Sequence, residues 1–230
     1  FKNMESGDFS TLKKNYAKGV ELRGKTLGII GFGRIGQSLA SYALGLGMNV
    51  IAIDNKKQEV SIEVTVGNQT VSIPIATETD LQAQLGQMDY ISIHVPKQAD
   101  GSAVLGANEF SKMKKGVFIA NAARGGVVNE TELLEALNQG IIAGIALDVF
   151  ENEPNPRKEL LAHPKIACTP HIGAATLEAQ DRIGEELAQL IIGLAMEEKE
   201  LSTNWICFPK HLISGKVKLG LGKLSIITCD

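Results

Sequence analysis

From residue 24 onward, short apolar runs alternate with longer stretches whose apolar residues recur at helical spacing. The runs Thr26–Ile30, Asn49–Ile53, Asp89–Val95, Gly116–Asn121, Ala143–Phe150 and Lys165–Thr169 read as strands. The stretches Ile35–Leu46, Leu81–Leu85, Ala107–Met113, Glu130–Gln139 and Leu177–Glu198 read as amphipathic helices. Asn129 followed by Glu132 predicts a capping box, and Gly140 a helix stop. Continuously apolar strands separated by helices predict a parallel sheet covered on both faces. The expectation is a doubly wound α/β domain with limits near Gly24 and Ala195.

One segment breaks this rhythm. Ser61–Ile75 alternates apolar and polar residues around Gly67-Asn68, a two-residue turn signal, and predicts an inserted β-hairpin at a sheet edge or an oligomer contact. Ahead of the domain, residues 1–23 are polar, with Leu12, Tyr16 and Val20 spaced like one helix face. Behind it, residues 196–230 have no helical period, although Val217, Leu219 and Leu221 alternate as a strand does.

Composition narrows the function classes. A length of 230 residues allows one large domain or two small ones. With 23 basic and 26 acidic residues, the chain lacks the basic footprint of a nucleic-acid binder. A 44% hydrophobic content argues against disorder, and no apolar run is long enough to predict a membrane span. The cysteines, Cys168, Cys207 and Cys229, are an odd, unspaced set, so neither a disulfide framework nor a metal site is expected. A reducing, cytoplasmic setting is. The chain starts at Phe1 without a signal-peptide pattern, which reads as a fragment or a processed chain.

Candidate chemistry begins at Gly31-Phe32-Gly33-Arg34-Ile35-Gly36, a G-x-G-x-x-G run between the first strand and the first helix of the alternation. Gly31 permits the tight turn, Gly33 lets a pyrophosphate approach the backbone, and Gly36 lets helix and strand pack closely. The helix N-terminus offers free N–H groups to phosphate. Asp54 ends the next strand, where it can accept hydrogen bonds from ribose hydroxyls and repel a 2′-phosphate. This predicts a Rossmann-type turn for NAD, with Lys56 and Lys57 leaving an opening for NADP.

In such sheets ligands bind beyond the carboxyl ends of the strands. There the sequence places Arg124 after one strand, Asp148, Glu151 and Glu153 after the next, and His171 after the last. Oxidising a secondary alcohol needs a base with a pKa near neutrality, which His171 offers, steadied by a carboxylate. Arg124 can hold a substrate carboxylate in a bidentate pair. The same residues could also be ordinary loop charges. His94 reads as core or cofactor wall, His163 and His211 as surface, and Cys168 as buried filler in an apolar strand.

The motif series resembles the D-isomer-specific 2-hydroxyacid dehydrogenases. The resembling stretches are residues 24–36, His94-Val95-Pro96, residues 121–126, residues 146–154 and residues 169–174. Residues 175–180 resemble the phosphoglycerate dehydrogenase branch more than its sisters. The resemblance implies that Arg124 binds substrate, His171 is the acid/base and Glu153 its paired carboxylate. Asp148 matches the residue meeting the nicotinamide carboxamide, and Arg34, Ile35, Asp54, Val95, Ala122, Gly173 and Ala174 match further cofactor contacts. It implies NAD-dependent oxidation of a small 2-hydroxy acid to its 2-oxo acid, 3-phosphoglycerate before others, and a homodimer formed through this domain. Glu153 argues against formate dehydrogenase, which carries an amide there.

The departures are equally specific. A substrate-binding half stands ahead of this domain in the family, and residues 1–23 match only the helix that would follow it. The hairpin and residues 201–230 depart from the family pattern as well. The expectation is a chain that binds NAD and has little turnover alone. Alternatives are a reductase of glyoxylate or hydroxypyruvate, a D-lactate dehydrogenase-like enzyme, or an NAD-responsive interaction module.

Overall fold

The computed structural model describes residues 7–17, 19–197, 207–209 and 227–229. The contacts divide the chain into two units, Phe1–Gly173 and Ala174–Asp230. The first unit begins with helix α1 (Phe9–Tyr16), capped by the Asp8 carboxylate, which accepts the Thr11 N–H at 2.8 Å. Val20, expected on the same helix face, lies beyond its end.

An eight-stranded sheet organises the rest of this unit. Strands β1 (Thr26–Ile30) and β2 (Asn49–Ile53) take the expected bounds, because each is a continuous apolar run closed by a polar or glycine corner. The hairpin strands are β3 (Glu59–Val66) and β4 (Gln69–Glu78). Then come β5 (Tyr90–Ile93), β6 (Val117–Asn121), β7 (Ile142–Leu147) and β8 (Ile166–Cys168). The spatial order is β3-β4-β2-β1-β5-β6-β7-β8. Every neighbouring pair is parallel except β3 with β4. The hairpin was expected as an edge decoration. It is the sheet's outer edge, and it joins the sheet where β4 pairs with β2 at Thr77 and Glu78.

Helices α2 (Arg34–Gly45), α3 (Leu81–Gln84), α4 (Ala107–Lys112), α5 (Glu130–Asn138) and α6 (Lys158–Ala162) connect the strands. Two apolar cores result. One gathers Ile91, Ile93, Phe110, Leu133 and Leu160, and the other gathers Ile29, Phe32, Ala40 and Ile62. The order of winding reverses at β1, with β2 added on one side of it and β5 on the other, so the carboxyl ends of β1 and β5 flank the crevice expected to take a ligand.

The capping box at Asn129 forms only in half. Asn129 Oδ1 accepts the N–H groups of Thr131 and Glu132, each at 3.1 Å. The Glu132 carboxylate instead accepts the Ala107 N–H at 2.6 Å, capping the neighbouring α4. Gly140, with φ +71°, ends α5 as expected.

The second unit contains α7 (Leu177–Glu197) and a short parallel pair, β9 (Cys207–Pro209) with β10 (Ile227–Cys229). The alternation at Val217, Leu219 and Leu221 lies outside the described residues, as does His211. Among the described residues no helix is long and apolar enough to cross a membrane.

Candidate active site

Strand β1 runs into Gly31, whose φ of +94° favours glycine and whose N–H donates to the Ile53 carbonyl at 2.8 Å. A methyl group on Gly31 would stand 2.5 Å from the His94 carbonyl oxygen and 2.9 Å from Val95 Cγ1. One on Gly36 would stand 2.3 Å from the Gly31 carbonyl oxygen. Packing within the chain therefore requires both residues to be glycine. Gly33 differs: it caps the start of α2, is exposed, and among the described residues has nothing within 4 Å of where a Cβ would sit. No side chain caps that helix end and no acid stands in its first turn, so its N–H groups and positive dipole end are available to an anion.

Asp54 completes this corner. Its Oδ2 accepts the Phe32 N–H at 2.8 Å and its Oδ1 the Asn55 N–H at 2.7 Å. The carboxylate at the end of β2 thus ties down the glycine turn and keeps lone pairs for further donors. An open glycine, an uncapped helix start and an acid with spare acceptor capacity fit the pyrophosphate and ribose of a dinucleotide.

The second part of the site lies at the ends of β6, β7 and β8. After β6, the Asn121 side chain folds the loop on itself: Oδ1 accepts the Ala123 N–H at 3.0 Å, and Nδ2 donates to the Arg124 carbonyl at 3.1 Å. Arg124 is exposed and donates to the Ala123 carbonyl at 2.6 Å. It makes no hydrogen bond to His171 or Glu153. Gly125 fits tightly, since a methyl group there would stand 1.8 Å from the Phe150 carbonyl oxygen.

After β7, Asp148 is buried and organises the loop that follows β8. Its Oδ1 accepts the Thr169 hydroxyl at 2.6 Å and the Ile172 N–H at 2.8 Å. Its Oδ2 accepts the Gly173 N–H at 2.8 Å. Burial pushes this carboxyl up, but the three donors and the nearby His171 outweigh it and hold the group below the usual carboxylate range. A methyl group on Gly173 would meet Asp148 Oδ2 at 2.9 Å and the Ala122 side chain at 3.7 Å, so the loops after β6 and β8 converge there.

His171 is held in the left-handed region, φ +56°, and its Nδ1 stands 2.7 Å from Glu153 Oε2. Glu153 Oε1 accepts the Phe150 N–H at 2.9 Å. The His171 hydrogen bond, then the Phe150 N–H, pull the Glu153 carboxyl below its ordinary range. A carboxylate fixed at one oxygen and bonded to imidazole at the other orients the ring and leaves Nε2 for proton transfer.

Several structural contributors were not marked in the sequence. In the sequence Asn121 stands out only as part of the motif at residues 121–126. Glu130 and Glu151 bind each other's backbone: Glu130 Oε1 accepts the Glu151 N–H at 2.7 Å, and Glu151 Oε1 accepts the Glu130 N–H at 3.0 Å. This clasp pins the turn that carries Glu153. Lys97 lies beside the arginine loop, its Cε 3.3 Å from where a methyl group on Gly126 would stand.

Cys168, expected to be buried filler, is exposed. The reason is topological: β8 is the last strand of the sheet, and an edge strand need not bury both faces of an apolar run. His94 shares a hydrogen bond with Ser92 at 2.9 Å, and its burial lowers its pKa, which fits a wall residue. Ala174, also expected to contact the cofactor, belongs to the second unit. Among the described residues, no group of three or more His, Cys, Asp or Glu side chains could hold a metal ion.

Residues 2–173 match the family described as D-isomer specific 2-hydroxyacid dehydrogenase, NAD binding domain. The chain is 42% identical over 181 residues to D-3-phosphoglycerate dehydrogenase 3, chloroplastic, of Arabidopsis thaliana, covering 78% of this chain and 29% of that protein. It is 42% identical over 182 residues to a hydroxypyruvate reductase of Thermotoga maritima, covering 78% and 56%. A glyoxylate reductase structure from Paecilomyes thermophila superposes with a TM-score of 0.65 at 33% identity, covering 84% of this chain and 57% of that one. The chain therefore spans between about a quarter and three fifths of these relatives. The glycine turn, the Asp54 corner and the family match agree, and the chain belongs to the D-isomer-specific 2-hydroxyacid dehydrogenases through their NAD-binding domain.

Proposed function

We propose that this chain carries the cofactor site and the acid/base of a dehydrogenase for 3-phosphoglycerate, interconverting it with 3-phosphohydroxypyruvate at the entry to serine synthesis. The observation that carries this reading is the His171–Glu153 pair, 2.7 Å long, beyond the same sheet ends as the glycine turn. The nucleotide-binding domain is taken as residues 24–195, the setting as cytoplasmic, and the protein partner as a second copy of the chain.

NAD, when bound, supplies the acceptor for the hydrogen on the substrate carbon. Gly33 and the start of α2 would hold its pyrophosphate, Asp54 its ribose, and Asp148 its carboxamide. On the substrate side, Arg124 turns from the Ala123 carbonyl to bind the carboxylate. His171 Nε2 takes the hydroxyl proton during oxidation and returns it during reduction, while Glu153 holds the ring through Nδ1. Lys97, beside the arginine loop, supplies a second cation for a substrate with a second anionic group, which favours the phosphorylated acid.

A reductase acting on glyoxylate or hydroxypyruvate is the second reading, favoured by the hydroxypyruvate reductase and glyoxylate reductase among the similar proteins. Comparing kcat/KM for 3-phosphohydroxypyruvate, hydroxypyruvate and glyoxylate decides between them. The phosphorylated acid is expected to lead, and equal or greater efficiency with glyoxylate or hydroxypyruvate overturns that choice.

A further inference from the structure

The hairpin is unused by the chemistry above, yet its base closes over the loop that carries Asp54. That loop, residues 54–58, follows β2 and leads into β3 at Glu59. Both of its ends are tied to the last residues of β4. At one end the Asp54 N–H donates to the Glu78 carbonyl at 3.0 Å, where β4 lies parallel to β2. At the other, Glu59 pairs with Ala76 across the hairpin, and the Thr77 N–H donates to the Gln58 carbonyl at 2.8 Å.

Between these ties stands the Thr77 side chain, which is fully buried. Its hydroxyl donates to the Lys56 carbonyl at 2.7 Å and accepts the Gln58 N–H at 2.9 Å. Thr77 continues the inward alternation of Ile73 and Ile75, so burial alone would favour an apolar residue there. Valine would fill the same space and leave both backbone groups without this partner. The hydroxyl therefore holds the loop's backbone, while the Lys56 and Lys57 side chains stand exposed on it. Asp54 is coupled to the same loop, because its Oδ1 accepts the N–H of Asn55 at 2.7 Å.

We propose that Thr77 is a positioning residue for cofactor choice: by clamping residues 54–58 to the base of the hairpin, it keeps Asp54 toward the ribose and the two lysines away from it, which favours NAD over NADP. A fixed carboxylate repels a 2′-phosphate and a lysine attracts one, so the loop's position sets the preference. The inference rests on the reading of Asp54 as the ribose acceptor. It makes the hairpin the anchor of the ribose corner.

Calorimetric titration of the 230-residue chain with NAD and with NADP, in Thr77→Val, Thr77→Ser and Asp54→Ala, tests it. Thr77→Val is expected to raise the NAD Kd roughly tenfold, as when about one molecule in ten keeps the loop in place, and to raise the NADP Kd less. Thr77→Ser keeps the hydroxyl and is expected to bind both nucleotides as the parent does. The clamp is overturned if Thr77→Val binds as the parent does, if it loses NAD and NADP equally, or if Thr77→Ser behaves as Thr77→Val. In each of these cases weaker NAD binding by Asp54→Ala keeps the ribose reading. Unchanged NAD affinity in Asp54→Ala overturns both. Should Thr77→Val not fold, amide hydrogen exchange in the parent decides. NAD at about 100 times its Kd is expected to slow exchange of the Gln58 N–H by roughly 10- to 100-fold. An unchanged rate there overturns the clamp.

Discussion

Glu153 reaches His171 Nδ1 with one oxygen, at 2.7 Å, while its other oxygen accepts the Phe150 N–H at 2.9 Å. The second bond matters because a carboxylate free to rotate orients nothing. Glu153 is anchored in a turn that the Glu130–Glu151 clasp also holds, and Gly125 of the arginine loop packs against the same turn. The elements after β6, β7 and β8 are thereby fixed relative to one another. Replacing Glu153 with Gln keeps the shape and removes the carboxylate that accepts at His171 Nδ1. The expected outcome is a loss of kcat with little change in NAD affinity, read by steady-state kinetics beside cofactor titration.

The two glycines at the start of α2 separate folding from binding. Gly36→Ala forces a methyl group toward the Gly31 carbonyl and is expected to destabilise the domain by about 1–3 kcal/mol. Among the described residues, nothing beyond its chain neighbours lies within 4 Å of the methyl group in Gly33→Ala, so its melting temperature is expected to change little. Its NAD affinity should fall about tenfold, or ~1.4 kcal/mol, because the methyl group enters the space read as the pyrophosphate site. Thermal melts and calorimetric titrations of both variants check this.

Asp54 braces the turn through the Phe32 N–H, and the proposed function also sets it against the ribose. Asp54→Ala is expected to weaken NAD by about 1–3 kcal/mol and to raise the ratio of NADP to NAD affinity. Parallel titrations with the two nucleotides measure both effects.

Lys97→Ala separates the substrate readings. If this cation meets the phosphate, KM rises for 3-phosphohydroxypyruvate and stays nearly unchanged for glyoxylate. Equal effects on the two substrates remove Lys97 from the recognition argument.

Two carboxyls predict opposite pH dependences of stability. Burial raises the Glu130 pKa above the ordinary glutamate value, and the facing Glu151 charge adds to it, against the Glu151 N–H and Arg157. Between the unfolded value and the raised folded one, the native state binds more protons, so stability falls as pH increases. Glu153 is lowered, so its contribution is present above the unfolded value and is lost as pH falls through the folded one. Denaturant midpoints across the acidic range should lose the first slope in Glu130→Gln and the second in Glu153→Gln.

The strands nearest the cofactor site were legible almost to the residue, because β1 and β2 are uninterrupted apolar runs with polar or glycine ends. Helix α6 escaped notice because it is a short helix whose fully buried anchor is Leu160. Asp54, Glu153 and His171 were readable from their places after strands. The Glu130–Glu151 clasp was not: two acids far apart in sequence carry no local signal that each accepts the other's backbone N–H. Burial of Cys168 was misread for a related reason, since an apolar run does not tell an edge strand from a central one.

The central claim is that His171 moves the substrate proton while the glycine turn holds NAD. Its most direct test mixes the chain, preloaded with NADH, with 3-phosphohydroxypyruvate and follows the nicotinamide absorbance in a single turnover. The account predicts slow oxidation of NADH with formation of D-3-phosphoglycerate, slowed further by about 10²–10⁴ in His171→Ala at unchanged NADH affinity. Oxidation at the same rate in His171→Ala would contradict it.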